Sequence, residues 1–240
     1  MKITELFNEK QNDLKSAKPI TIAFIGDSVT QGCFECYVKG DKIVPVFDYK
    51  NAYSTRVREI LNVLYPNVQI NVINSGVSGD SAAGGLNRLE RDVISYNPDL
   101  VVVSFGLNDS LRGSGGLIKY ADSLSKIFDK LAESGTETIF LTQNYMCTEI
   151  DPSIKDEQYK IQAELCAKLQ NDGVLKEYYD KAKEICFEKG VKVCDTYSVW
   201  EKMNSAGVKV TGLLSNLLNH PIREFHYYIA IKLIETVFGV

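Results

Sequence analysis

Five short runs rich in Val and Ile, each followed by a longer stretch of helical character, constrain this 240-residue chain more than any other feature. The runs are residues 20–25 (ITIAFI), 68–73 (VQINVI), 99–105 (DLVVVSF), 138–142 (TIFLT) and 191–194 (VKVC). Continuous apolar runs of this length and β-branched content are the signature of strands buried on both faces. Between and after them the spacing predicts helices over about 51–64, 82–95, 116–134, a long region 154–189 broken near Asp172 and Gly173, and 221–238. Strictly alternating strand and helix argue for an α/β fold, a five-stranded parallel sheet with helices on both faces. No repeat, low-complexity tract or linker divides the chain, so residues 1–240 are expected to form one domain.

Composition limits the function classes. The chain is 45% hydrophobic and 24% charged, with a formal net charge of −4. It lacks the basic field and the Lys/Arg stripe interleaved with aromatics that a phosphate backbone requires, so a nucleic-acid partner is not expected. Nowhere do eighteen apolar residues run together, and the first nineteen residues hold no signal-peptide core, so no membrane span and a cytoplasmic location are expected.

Of the six cysteines, Cys147, Cys166, Cys186 and Cys194 lie in apolar segments where a thiol behaves as a small hydrophobe. Only Cys33-x-x-Cys36 has a spacing that suggests chemistry. It is not accompanied by a second ligand pair, and it falls in a stretch, Cys33 to Lys50, that reads as an irregular loop. Inert thiols and no metal are therefore expected, with the loop forming one wall of a cleft.

Polar clusters follow the first three strands: Gly26-Asp27-Ser28, then Asn74-Ser75-Gly76-Val77-Ser78-Gly79-Asp80, then Gly106-Leu107-Asn108-Asp109. In a parallel sheet these carboxyl ends share one edge, where such folds bind ligands. A serine there becomes a competent nucleophile once a base takes its proton. Only two histidines are present, His220 and His226. Pro221 suits the first turn of a helix and extends the residue before it, which leaves His220 in the preceding loop. His226 flanks the apolar line Ile222, Phe225, Ile229, Leu233 and Val237 and is expected to be a packed structural residue.

Acyl transfer fits this set. Attack on an ester carbonyl creates an oxyanion that needs donors fixed in advance. The Ser28 and Gly79 N–H groups and the Asn108 amide can supply three. Each also has a simpler reading: Gly79 as a turn into the helix near Ser81, and Asn108 as an Asx turn after its strand. A phosphate-binding reading fails because residues 26–32 contain no Gly-Lys-Ser/Thr and Gly76-Val77-Ser78-Gly79 lacks the dinucleotide spacing.

Gly26-Asp27-Ser28-Val29-Thr30-Gln31-Gly32, Ser78-Gly79-Asp80 with Gly85-Leu86-Asn87-Arg88-Leu89, Gly106-Leu107-Asn108-Asp109 and His220-Pro221 resemble, in order, the four blocks of the SGNH, or GDSL, hydrolases. The resemblance implies a flavodoxin-like three-layer α/β/α fold and a serine esterase without cofactor, acting on small-molecule esters among lipids, thioesters and acetylated sugars. It makes Ser28 the nucleophile and His220 the base, with the Ser28 amide, Gly79 and Asn108 forming the oxyanion hole. The family usually places an aspartate three residues before its histidine; here that position is Leu217, and no acidic residue lies between Glu201 and His220. Asn216 is the expected orienting group, with Asp195 or a backbone carbonyl as the alternatives. The competing function is a catalytically weak or inactive relative that binds acylated ligands.

Overall fold

The computed structural model describes residues 2–40 and 42–240. Seven strands and ten α-helices are present among them: α1 (Ile3–Asn12), β1 (Ile20–Gly26), α2 (Ser28–Gln31), β2 (Cys33–Lys39), β3 (Lys42–Phe47), α3 (Tyr53–Leu64), β4 (Ile70–Gly76), α4 (Ala82–Asp92), β5 (Leu100–Ser104), α5 (Leu107–Ser110), α6 (Leu117–Glu133), β6 (Glu137–Thr142), α7 (Glu157–Asn171), α8 (Val174–Lys189), β7 (Lys192–Asp195), α9 (Tyr197–Ser205) and α10 (Arg223–Phe238).

The central sheet has the order β4-β1-β5-β6-β7, all parallel, as the five apolar runs predict. β5 is fully buried, and β1 is buried except for half-exposed Thr21. One face carries α1, α3 and α10, with α3 against α10; the other carries α4, α6 and α8, packed in sequence. Apolar side chains from both layers close on the sheet, among them Phe7, Val57, Leu61 and Leu233 from one layer and Leu89, Leu124, Ile127 and Phe128 from the other. The chain leaves β1 for β4 on one side and returns to β5 on the other, so the strand order reverses around β1. That switch point is where open α/β sheets offer a crevice beyond the strand ends.

Several segments depart from the expectations. The stretch from Cys33 is not a loop: β2 and β3 pair as an antiparallel hairpin outside the main sheet, with a register shift between Cys33 and Cys36. Its polar sequence hid it, because neither strand is buried on a full face. β4 runs to Gly76 rather than ending at residue 73, since an edge strand tolerates polar Asn74 and Ser75. Helices α1 and α9, both short, add to the expected set. The break at Asp172 and Gly173 separates α7 from α8, with Gly173 in the left-handed region at φ 78°.

Candidate active site

Ser28 opens α2 directly beyond β1, and its tight seat depends on the strand end. A Cβ on Gly26 would lie 2.1 Å from Thr30 Oγ1 and 2.5 Å from the Ser104 carbonyl, so only glycine lets β1 approach the turn this closely. Asp27 caps α2, its Oδ1 accepting from the Val29 N–H at 3.0 Å and from Gln143 Nε2 at 2.8 Å. Its other oxygen is buried without a partner, and burial pushes the carboxyl up to about 6.

His220 stands in the loop before α10, as Pro221 predicts, and its Nε2 lies 2.9 Å from Ser28 Oγ. Both residues are buried. The other ring nitrogen, Nδ1, lies 3.1 Å from the carbonyl oxygen of Phe34 in β2. A carbonyl can only accept, so in the neutral ring Nδ1 carries the proton and Nε2 is left to accept from the serine.

Asn216 does not orient the ring. Its Oδ1 accepts from the backbone N–H groups of Leu218, Asn219 and His220 at 3.1, 2.9 and 2.9 Å, and its Nδ2 donates to Asn219 Oδ1 at 3.0 Å. A short amide four residues before the histidine folds the loop by satisfying its donors. Leu217, at the position where the family usually has aspartate, sits in the left-handed region at φ 57° and lines a surface cleft. Asp195 is also away from the ring: it accepts from Thr142 Oγ1 at 2.9 Å and pairs with Lys183 at 2.8 Å.

The oxyanion candidates converge on the same edge. Gly79 has φ 78°, a conformation that favours glycine, and no atom stands within 4 Å of where its Cβ would be. Asn108 Nδ2 donates to the Asp80 carbonyl at 3.0 Å, which ties the third cluster to the second. Ser81 caps α4 by accepting from the Gly84 N–H, so the turn reading of this segment holds beside its position at the site.

Sequence reasoning overlooked two residues that bind these loops together. Arg88 Nη2 donates to the Gly26 carbonyl at 3.0 Å, Nη1 to the Ser75 carbonyl at 2.6 Å, and Nε pairs with Asp80 at 2.7 Å. It joins the ends of β1 and β4 to the Gly79 turn. Its place in the Gly85–Leu89 block was the available signal. Gln143, beyond β6, bridges Asp27 to the Leu107 N–H and the Tyr179 hydroxyl, and no local pattern marks it.

The hairpin is held over the histidine by Arg223 at the start of α10. Its guanidinium binds both oxygens of Glu35, pairs with Asp48 at 2.8 Å, and lies 4.3 Å from the centre of the Phe34 ring. On the hairpin, Cys33 and Cys36 approach His220: one ligand atom from each of the three lies within 4.8 Å of the others. The Cys33 thiol, acting as donor, holds the Cys36 thiol below its ordinary range, with the imidazole assisting.

His226 behaves as the packed residue its apolar surroundings predict. Its Nδ1 accepts from the Tyr53 N–H at 3.1 Å, its ring lies 4.5 Å from that of Phe34, and burial lowers it to about 3. A cavity of about 750 Å³ opens at the opposite edge of the sheet, among the starts of β6 and β7 at Glu137 and Lys192, and has no residue of the Ser28 cluster in its lining.

A doubly wound parallel sheet with a buried hydroxyl–imidazole pair at its switch point defines an α/β protein of three layers whose cleft lies at the carboxyl edge. Residues 24–224 match the profile of the GDSL-like lipase/acylhydrolase family, and the chain belongs to that family. Among curated relatives, it is 35% identical over 72 residues to an arylesterase of Vibrio mimicus, covering 30% of this chain and 36% of the relative. It is 34% identical over 91 residues to an acetylxylan esterase of Geobacillus stearothermophilus, covering 38% of this chain and 40% of the relative. The matched segments thus span well under half the length of these relatives.

Among solved structures, an acetylxylan esterase of Geobacillus stearothermophilus superposes with a TM-score of 0.67 at 22% identity, covering 91% of this chain and 94% of that one. A two-domain esterase active on acetylated mannans superposes with a TM-score of 0.66 at 16% identity, covering 99% of this chain and 52% of that one. At these identities the likeness is one of fold. No helix among the described residues is long and apolar enough to cross a membrane.

Proposed function

We propose that the protein is a serine esterase that removes small acyl groups, acetyl foremost, from carbohydrate hydroxyls. The observation that carries this reading is the 2.9 Å contact between Ser28 Oγ and His220 Nε2 at the carboxyl edge of the sheet. His220 takes the hydroxyl proton as Ser28 Oγ attacks the ester carbonyl, then passes it to the departing sugar oxygen. The N–H groups of Ser28 and Gly79 and the Asn108 amide meet the negative charge on the tetrahedral oxygen. Water, deprotonated by the same imidazole, then releases acetate from Ser28. The Phe34 carbonyl accepts from the Nδ1–H throughout, which leaves Nε2 to take and return protons, the orienting task that a carboxylate performs in a full triad.

The acetylated-carbohydrate preference rests on the relatives named above and on the exposed aromatic surface of the hairpin. Tyr37 and Tyr49 are exposed, and the Tyr49 and Phe47 rings stack 5.9 Å apart at 7°. Flat rings of this kind offer an apolar face to a sugar. Tyr53 and Tyr145 lie in the core, where a sugar cannot reach their rings.

The test pairs a serine-directed fluorophosphonate with a panel of acetylated xylo-oligosaccharides and aryl esters of graded acyl length. Labelling at Ser28, with turnover highest for acetyl, is the expected result. Labelling with turnover only of long acyl chains moves the substrate to lipids or thioesters. Neither labelling nor turnover leaves the inactive ligand-binding relative as the reading.

A further inference from the structure

Two thiols and an imidazole are gathered beside the nucleophile, and the hydrolysis described above has no use for the thiols. In a regular strand, residues three apart point to opposite faces. The register shift between Cys33 and Cys36 in the hairpin changes that count and turns both thiols toward His220. Their ligand atoms and one of the imidazole nitrogens lie within 4.8 Å of one another. A tetrahedral zinc ion with bonds of about 2.3 Å to sulfur and about 2.0 Å to nitrogen places its ligand atoms roughly 3.5–3.8 Å apart, so closure requires shifts of ~1 Å or less.

We propose that Cys33, Cys36 and His220 form a binding site for a thiophilic divalent cation of the zinc class, and that occupancy switches the esterase off. Three soft or borderline ligands favour zinc over magnesium or calcium, which seek oxygen. Cys33 and His220 are buried, and Cys36 borders a cleft of about 230 Å³ lined also by Tyr159, Asp156 and Asn216, through which an ion and a fourth, water ligand enter.

The switch follows from the tautomer. Nε2 faces Ser28, and Nδ1 faces the strand that carries both cysteines, so Nδ1 is the nitrogen available to a metal. On binding, the two thiols release their protons to solvent as both sulfurs bond the cation. The proton on Nδ1 passes to solvent and one from solvent takes its place on Nε2, so the ring stays neutral with its one proton on Nε2 and the two thiol protons are the net release. A protonated Nε2 donates toward Ser28 Oγ and no longer takes its proton. The loss of activity rests on the esterase reading given above; the coordination itself does not.

Cobalt(II) is the probe, added to the reduced full-length protein after removal of adventitious metal by a chelator. The expected result is one ion per chain with thiolate-to-cobalt charge transfer and tetrahedral d–d bands, displaced by zinc. Cys36→Ser and Cys33→Ser should each weaken binding beyond the ~10- to 100-fold that loss of a ligand's hydrogen-bond partner alone costs. Should the buried Cys33 variant fail to fold, the half-buried Cys36 variant decides. Ser28→Ala should bind cobalt as the parent does, which separates the site from the hydrolytic reading. In the parent, ester turnover should fall in proportion to zinc occupancy and return with chelator. Absence of thiolate bands, or equal affinity in the cysteine variants, overturns the site; full turnover at full occupancy overturns the switch.

Discussion

The Nδ1 of His220 meets the carbonyl oxygen of Phe34, 186 residues earlier in the chain, at 3.1 Å. A backbone oxygen fixes the tautomer as a carboxylate does but adds no full charge beside the imidazolium. Its position depends on the whole hairpin, because a carbonyl cannot adjust by rotating a side chain. Arg223→Ala removes the clamp on Glu35, Asp48 and the Phe34 ring. Turnover should fall by up to ~10²-fold, the scale of a displacement of about 1 Å at a reacting group, with little change in KM. Arg223→Lys should not rescue it, since a single ammonium cannot reproduce the two-pronged contact with Glu35. Steady-state kinetics on both variants provide the check, and rescue by lysine would count against the clamp.

Removing either member of the hydroxyl–imidazole pair should be far more costly. Ser28→Ala and His220→Ala should each lower kcat by several orders of magnitude, toward the ~10⁶ seen when a catalytic serine or histidine is removed elsewhere. The double variant should be hardly worse than either single one, because the two act as a unit. Additive losses measured in single-turnover experiments would show that they do not.

Asn108→Ala should leave KM near its parent value and lower kcat by roughly 10²- to 10³-fold, as loss of one oxyanion donor does. The same side chain ties its loop to the Asp80 carbonyl, so a melting curve must accompany the kinetics. A raised KM at unchanged kcat would make Asn108 a ground-state contact.

Asn216 and Asp195 separate loop folding from ring orientation. Asn216→Asp retains an oxygen for the three backbone donors and should keep activity within a few-fold of the parent. Asn216→Ala leaves those donors without their acceptor and should destabilise the protein by about 1–3 kcal/mol. Asp195→Asn should remain active, because that carboxylate serves Lys183 and Thr142. Inactivity of Asp195→Asn in a folded protein would make it the orienting acid after all.

Buried titrating groups give the fold opposing pH dependences. His226 is lowered to about 3, so between there and its ordinary 6.5 the unfolded chain binds a proton that the native state refuses. Its contribution to stability is therefore lost as pH falls through that window. Asp27 and Asp109 are raised by burial to about 6 and about 7, so the native state holds protons that the unfolded carboxyls release near 3.8, and stability falls as pH rises across that range. His226→Gln keeps an acceptor for the Tyr53 N–H and removes only the first effect. Denaturant melts should show its stability changing more steeply downward with rising pH than the parent's, by ~1.4 kcal/mol per pH unit between about 4 and 6. Identical slopes would show that His226 is protonated in the native state.

The sheet was legible because β1 and β5 are apolar along almost their whole length, and burial on both faces leaves no other composition open to them. The switch-point loops were legible for the same reason, since everything following those strands must meet at one edge. The hairpin was not: half-exposed strands mix Glu35, Lys39 and Lys42 with Val and Ile, and the pattern resembles a loop. The orienting contact was illegible in a deeper way. Every residue type carries a carbonyl, so Phe34 bears no chemical mark in the sequence, whereas Asn216 bears one and serves the backbone instead. Arg88 stands within its block in the sequence, but its link between two strand ends becomes visible only in three dimensions.

The imidazole takes its bearing from β2, which among the described residues pairs with β3 alone and lies outside the five-stranded sheet. Two-stranded ribbons open at lower free energy than the core on which they rest. On warming, the Phe34 carbonyl should therefore swing away from His220 while the central sheet is still intact, releasing the ring to either tautomer. Catalysis by the pair should then cease before the sheet melts, and should return on cooling without the core having to refold.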